Sequence, residues 1–494
     1  MIVINILLPR AKNTALTDPL FPDIVKIIRF KNSGFFHASG MNKKSVIFVL
    51  HRNYNTMNQH QEVLEIFRSG VDSVLPNNLI NNHISLIDND LICQDVIFNL
   101  EEYEHIYLTG FGKASAGMAR AMEKILGERL TGGHILTKYH HTVPLKKCTI
   151  TEAGHPLPDQ NGVEGTKKIE ELLLRATKND LIIVLISGGG SSLLTDLPEG
   201  IRLDELVSLN KLLVNSGANI QEINSVRKHL SRLKGGQMVR LAYPATVLTF
   251  LISDVVGDPL DVIASGPTVA DPSTFGDALQ VIEKYNLPSL VAPSVLEYLK
   301  RGKSGYIGET VKATDPCLLH TLNILLGNNR TALEQSKKKA IVLGYDAIIV
   351  SNEVEGDVSK VAEMIFSKIK TVTNEPYHRK IAILFGGEPT VQPTGNGKGG
   401  RNQHLVLLMA QKLAGSTGIT FLSAGTDGSD GPTDATGAIC DGTTLQLAIK
   451  NRLDPAKMIL NFDSYPFFEV VGGHIKTGPT FTNVMDIMIA LIDK

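Results

Sequence analysis

The chain of 494 residues has no tryptophan, and neither sign of charge prevails: 49 Lys and Arg against 50 Asp and Glu leave a formal net charge of −1. Without a basic surplus there is no global electrostatic footprint for nucleic acid or for an anionic membrane surface. The four cysteines, Cys93, Cys148, Cys317 and Cys440, have neither CxxC nor zinc-ligand spacing. They point to a reduced intracellular protein with free thiols. No apolar run approaches the ~20 residues that span a bilayer. Glycine is plentiful, at 44 residues, which suits many tight loops better than an all-β sandwich. The length predicts a large core and two domains. Helices with apolar faces could serve a homodimer.

Residues 1–58 differ from the rest. Within 1–60, eight Lys and Arg accompany only two acids, Asp18 and Asp23. Basic, acid-poor N-termini serve as organelle transit peptides. The alternatives are a disordered or family-specific extension, or an upstream start with a second one at Met41. The expected location is the cytoplasm, or the mitochondrion if the extension is a transit segment. From residue 59 the pattern turns helical, while 77–100 is Asn-rich and poorly periodic. Strands alternating with helices then argue for an α/β fold with largely parallel sheets. We expect one such domain over 59–371 and a second over 378–494, with a linker near 372–378.

The most informative stretch is 181–192, LIIVLISGGGSS. Six apolar residues, four of them β-branched, read as a buried strand that runs into Ser187, Gly188, Gly189, Gly190, Ser191 and Ser192. Glycine amides can approach a ligand closely, and a helix opening at Leu193 would leave unpartnered N–H groups. The combination suits an anion such as phosphate. A plain strand-to-helix connection is the competing reading of an isolated GGG. However, the same device recurs along the chain. Lys113, residues 187–192, Asp254, Asp258, Glu388, Arg401 and Asp427 all follow apolar strands, and α/β sheets bind ligands beyond the carboxyl ends of their strands. That coincidence argues for an enzyme.

Each motif has a bland alternative. GFGKAS at 110–115 lacks the spacing of a P-loop, and its G-x-G-x-x-S is a poor dinucleotide fingerprint because the next strand ends in Thr137-Lys138 with no acid for a ribose. Lys113 is left to neutralise a phosphate or a carboxylate, or to sit in solvent. Asp254 and Asp258 could hold Mg²⁺ or take a proton, or could cap turns. Asp427 and Asp430 offer the same choice. Arg401, in the Gly-rich stretch 394–401 that suggests a lid, could grip a carboxylate or a transferring phosphoryl group. Arg227 and Lys234 belong to a basic run of helical spacing that could reach a shared anion, or form a solvated face.

Taken together, GFGKAS, AGHPLPD, SGGGSSLL, NSVRKHLSRLKGGQ, SDVVGDPLDVIASGPT, GGEPTV, GKGGRNQ, SAGTDGSDGPTDATGA and TGPTFTNVMDI resemble the type II glycerate kinases, which carry a C-terminal MOFRL domain. The resemblance runs unbroken over about residues 60–490. It implies two α/β domains with the active site in the cleft between them, and phosphorylation of D-glycerate by ATP and Mg²⁺ to 2-phosphoglycerate. By the same resemblance, Lys113 matches the family's essential Lys, Arg401 matches the Arg of the second-domain GGRNQ motif, and Asp254, Asp258, Asp427 and Asp430 match the acids of the two Asp motifs. The Gly/Ser turn would hold nucleotide phosphates, with Mg²⁺ on Asp254 or Asp258. Phe481 departs from the pattern by replacing a small residue. Two rivals stand beside the kinase: an NAD(P)H-dependent hydroxypyruvate reductase, and a non-catalytic sugar-acid binding protein.

Overall fold

Two six-stranded sheets and a three-stranded meander organise the described residues, 57–374 and 379–493, in a computed structural model. The basic extension expected over 1–58 falls almost wholly outside these residues, as does part of the linker near 372–378. The meander is β1 (Ile84–Ile87), β2 (Asp90–Cys93) and β3 (Val96–Asn99). The first large sheet contains β4 (His105–Phe111), β5 (Gly132–Lys138), β6 (Cys148–Ala153), β7 (Asp180–Ile186), β8 (Thr246–Ile252) and β9 (Thr321–Gly327). Its order is β6-β5-β4-β7-β8-β9, with every pair parallel. The second contains β10 (Asp346–Asp357), β11 (Lys380–Thr390), β12 (Ile419–Gly425), β13 (Gly437–Asp441), β14 (His474–Ile475) and β15 (Asp486–Asp493), in the order β10-β11-β15-β12-β13-β14. Only β10 and β11 pair in parallel there, so this sheet is mixed and mostly antiparallel.

The apolar run at 181–186 is buried on both faces, as the central strand of a helix-covered parallel sheet must be. Leu181, Ile183 and Leu185 enter one cluster, Ile182, Val184 and Ile186 another. β15 divides likewise, with Ile487, Ile489 and Leu491 on one side and Met488, Ala490 and Ile492 on the other. The first of these clusters is continuous between the two sheets, containing Leu248 of β8, Leu384 of β11 and Phe67 of the helix Gln59–Ser73. That helix packs on the helix Asn329–Val342 and touches β12 and β15. β10 precedes the expected linker yet pairs in register with β11, Ala347 beside Ala382. The helix before the linker runs on to Thr373. Sheet membership therefore does not change at 372–378. Four helices between residues 203 and 303 build a satellite core of their own, including Leu209, Val226, Phe275 and Leu299.

The Asn-rich stretch that showed no periodicity holds the helix Pro76–His83 and the meander. Its strands are four residues long and its tight turns place Asp88 and Gln94 at φ 54° and 56° without glycine. The usual Asn-Gly or Asp-Gly hairpin signal is therefore missing.

Candidate active site

Going outward from β4, the first sheet proceeds to β5 and β6 on one side and to β7, β8 and β9 on the other. The β4/β7 pair is thus its topological switch point, where open α/β sheets bind ligands. The turns beyond these two strands are laced together. Ser187 N–H donates to the Phe111 carbonyl at 3.2 Å and Lys113 N–H to that of Gly188 at 2.9 Å. Ala114 N–H donates to Ser187 Oγ at 3.0 Å. Ser187 is therefore a buried fastening of the turn, not an open hydroxyl. Ser191 Oγ pairs with Ser265 Oγ at 2.9 Å, and Ser192 Oγ donates to the Gly189 carbonyl at 3.2 Å. Among the described residues, the N–H groups of Gly188, Gly189 and Ser191 donate to no protein group. The helix that was expected to open at Leu193 is a single turn, Gly190–Leu193. A nest of free amides, more than a helix dipole, is what this turn offers an anion.

The glycines are small because side chains lie on them. A Cβ at Gly188 would stand 2.0 Å from Asp254 Oδ2, and one at Gly189, where φ is +82°, would stand 2.8 Å from the His155 ring. Asp254 Oδ2 accepts from Asn483 Nδ2 at 3.1 Å. Burial pushes its carboxyl up to about 6; Lys113 opposes the shift, Glu388 and Asp427 add to it. His155 is held neutral, its pKa lowered to about 4 by burial and then by Lys113.

Lys113 Nζ meets Asp427 Oδ2 at 3.4 Å, which joins the switch point to the loop after β12. Asp427 Oδ1 accepts from the N–H and Oγ of Ser429, both at 3.0 Å. Behind Lys113, its carbonyl contacts His141 Nδ1 at 3.1 Å, and the His141 ring meets Phe481 edge-on at 5.4 Å. In the second sheet the N-terminal end of β15 lies between the C-terminal ends of β11 and β12, because β15 is antiparallel to both. Arg401 binds there. Its Nε and NH2 donate to the two oxygens of Asp486 at 2.6 and 3.0 Å, and its NH1 donates to Glu388 Oε1 at 2.6 Å. Burial raises the pKa of Glu388, with Arg401 opposing the shift.

Other candidates are placed differently. Asp430 is buried and caps the helix Arg401–Lys412: its oxygens accept from the N–H groups of Asn402 and Gln403 at 3.0 and 2.9 Å. An acceptor is needed there because a helix start has unpartnered N–H groups, so Asp430 orders the helix and does not face a ligand. Asp258 accepts from Asn328 Nδ2 at 2.5 Å while Asp254 takes Asn483, so the two acids have separate partners. No group of three or more His, Cys, Asp or Glu among the described residues could hold a metal by itself. Lys234 is buried, donating to the Leu194 carbonyl and pairing with Asp196 at 3.6 Å. It anchors the chain leaving the Gly/Ser turn. Arg227 donates through Nε to Asn210 at 2.7 Å and has no carboxylate partner among the described residues. The Gly-rich stretch 394–401, expected as a lid, does not stand alone. It is pinned to 461–465 by Gly397 N–H to the Asn461 carbonyl, Lys398 N–H to Asp463 Oδ1 and Tyr465 N–H to the Lys398 carbonyl, each at 2.9 Å.

His155, Asn483 and Asp486 joined the site only in three dimensions. Each lay inside a quoted motif, AGHPLPD or TGPTFTNVMDI, but nothing in the spacing distinguished it from a turn residue. The dinucleotide alternative still finds no acid at the end of β5, where Thr137 Oγ1 donates to the Gly112 carbonyl at 3.1 Å.

Residues 62–300 match a domain of unknown function, DUF4147, and residues 381–486 match the MOFRL family. A D-glycerate 2-kinase of Thermotoga maritima is 38% identical over 433 residues, covering 87% of this chain and 97% of its own. A glycerate kinase of Homo sapiens is 35% identical, covering 86% of this chain and 92% of its own. The crystal structure of the T. maritima glycerate kinase superposes with a TM-score of 0.77 at 37% identity, covering 88% of this chain and 99% of that one. The chain belongs to the type II glycerate kinase family.

Proposed function

We propose that the protein transfers the γ-phosphoryl group of ATP to the 2-hydroxyl of D-glycerate. The observation that carries this reading is the cross-sheet contact of Lys113 with Asp427 at the switch point, with Arg401 fixed on the facing sheet. Kinase chemistry needs positioning and opposite charge more than a nucleophile. The free amides of Gly188, Gly189 and Ser191 suit nucleotide phosphates, and Arg227, without an acid, suits a further phosphate oxygen. Lys113 and Arg401 orient the glycerate carboxylate and offset charge on the transferring group. His155, neutral and without a protein hydrogen-bond partner among the described residues, can accept a hydrogen bond from the attacking hydroxyl.

The donor set fits Mg²⁺ arriving with the nucleotide. Three cations, Lys113, Arg401 and Arg227, stand against four carboxylates, Asp254, Glu388, Asp427 and Asp486, an excess of one negative charge when all are ionised. Such a site would repel polyphosphate unless a divalent cation came with it. Mg²⁺ needs only one or two carboxylates beside phosphates and water. Asp254 is the residue to hold it, since it lies on Gly188 of the Gly/Ser turn and beside Lys113; Asp258, whose Oδ1 also lacks a hydrogen-bond partner, is tied to Asn328. When bound, the ion would neutralise phosphate charge.

Purified protein with D-glycerate, ATP and Mg²⁺, coupled to enolase without phosphoglycerate mutase, tests the reading. A signal means 2-phosphoglycerate. ADP release without an enolase signal moves the phosphate to another hydroxyl, and no ADP release refutes the kinase.

A further inference from the structure

We infer that Asp486 is a positioning residue of the transfer, acting through the guanidinium of Arg401; this rests on the kinase reading. Asp486 is wholly buried, yet both its oxygens accept from one side chain, at 2.6 and 3.0 Å. It is the first residue of β15 and stands beside Gly387 of β11 and Gly425 of β12. Its backbone is pinned as well: its carbonyl and that of Val484 both accept from Asn329 Nδ2, at 2.9 Å each. The carboxylate is therefore held by the sheet and cannot follow its partner.

A guanidinium has five donors in a rigid plane. Asp486 takes two and Glu388 one, so two remain, on the part-exposed tip of a side chain that is 32% exposed. The bidentate grip fixes the plane and therefore the direction of those two donors. Glu388 alone, through a single contact and 44% exposed, would leave the plane free to turn. Asp486 thus sets where Arg401 can meet a planar carboxylate or a phosphoryl group, without touching either.

The test compares D486E and D486N with the wild type, and D486N in an R401K background. D486E keeps the buried ion pair, so the protein folds, but its extra methylene displaces the guanidinium by on the order of 1 Å, a misplacement that can cost about 100-fold in rate. Expected results are a kcat about 100-fold lower in D486E with a circular dichroism spectrum that matches the wild type, and a large loss in D486N. In R401K, where Lys has no bidentate grip to lose, D486N should change kcat less than 2-fold. An unchanged kcat in D486E overturns the inference. So does a D486N loss of the same factor in both backgrounds, which marks a merely structural role. Absence of turnover in the wild type, by contrast, refutes the kinase reading itself. In that case faster phenylglyoxal modification of Arg401 in D486E than in the wild type would still report the clamp.

Discussion

The Asp254 carboxylate rests directly on Gly188, so close that a single methyl group there would stand 2.0 Å from Oδ2. G188A must therefore displace either the acid or the turn that carries the free amides. Overpacking of this kind costs about 1–3 kcal/mol. We expect G188A to fold, with KM for ATP raised at least 10-fold. A variant with wild-type KM and kcat would show that the contact has no bearing on nucleotide binding.

Lys113 and Asp427 join the two halves of the site. K113M should lower kcat by about 100- to 1,000-fold, the loss typical when one preorganised donor to a developing charge is removed. D427N should cost less, because Lys113 keeps its charge. Circular dichroism spectra that match the wild type, alongside steady-state kinetics, separate catalysis from folding.

The strand-and-turn skeleton was legible because its signals are local. Apolar runs that end in glycine or aspartate marked β4, β7, β8 and β12, and with them Lys113, Gly188, Asp254 and Asp427. What escaped depends on partners far along the chain. Asp430 reads like Asp427 in sequence, yet the first caps a helix and the second meets Lys113. Lys234 reads like an anion ligand until Asp196 is found beneath it. Asn483 and Asp486 are a polar pair at the start of an apolar strand until the sheet order brings them to Asp254 and Arg401.

Asp254 gives the activity a pH dependence. With its pKa pushed up to about 6 by burial, it is protonated below that pH and cannot hold a cation. kcat/KM, which reports the free enzyme, should fall as pH drops through about 6, and the apparent Mg²⁺ requirement should rise over the same range. D254N should be nearly inactive at every pH. A flat wild-type profile between pH 5 and 8 would falsify the assignment.

Asp430 gives stability a pH dependence of its own. Its folded pKa of about 6 lies above the ordinary value of about 3.9, so the folded state binds the proton more tightly than the unfolded one. This contribution is complete below about pH 4 and is lost as pH rises through about 6, amounting to roughly 3 kcal/mol by linkage. D430N should flatten that part of the curve. Urea denaturation of both proteins at pH 4.5 and 7 measures it: a difference between them that does not change with pH would contradict the assignment.

The last strand in chain order has a consequence for how the protein comes into being. β15 is hydrogen-bonded to β11 on one side and β12 on the other, so the β10–β11 pair and the β12–β13–β14 group share no edge until it arrives. Pairings across such long loops form slowly. During synthesis the first sheet, with Lys113 and the Gly/Ser turn, can be finished while the second is still two fragments. Arg401 then acquires its carboxylate only when the final strand slots in. Competence for phosphoryl transfer, on this account, waits for β15.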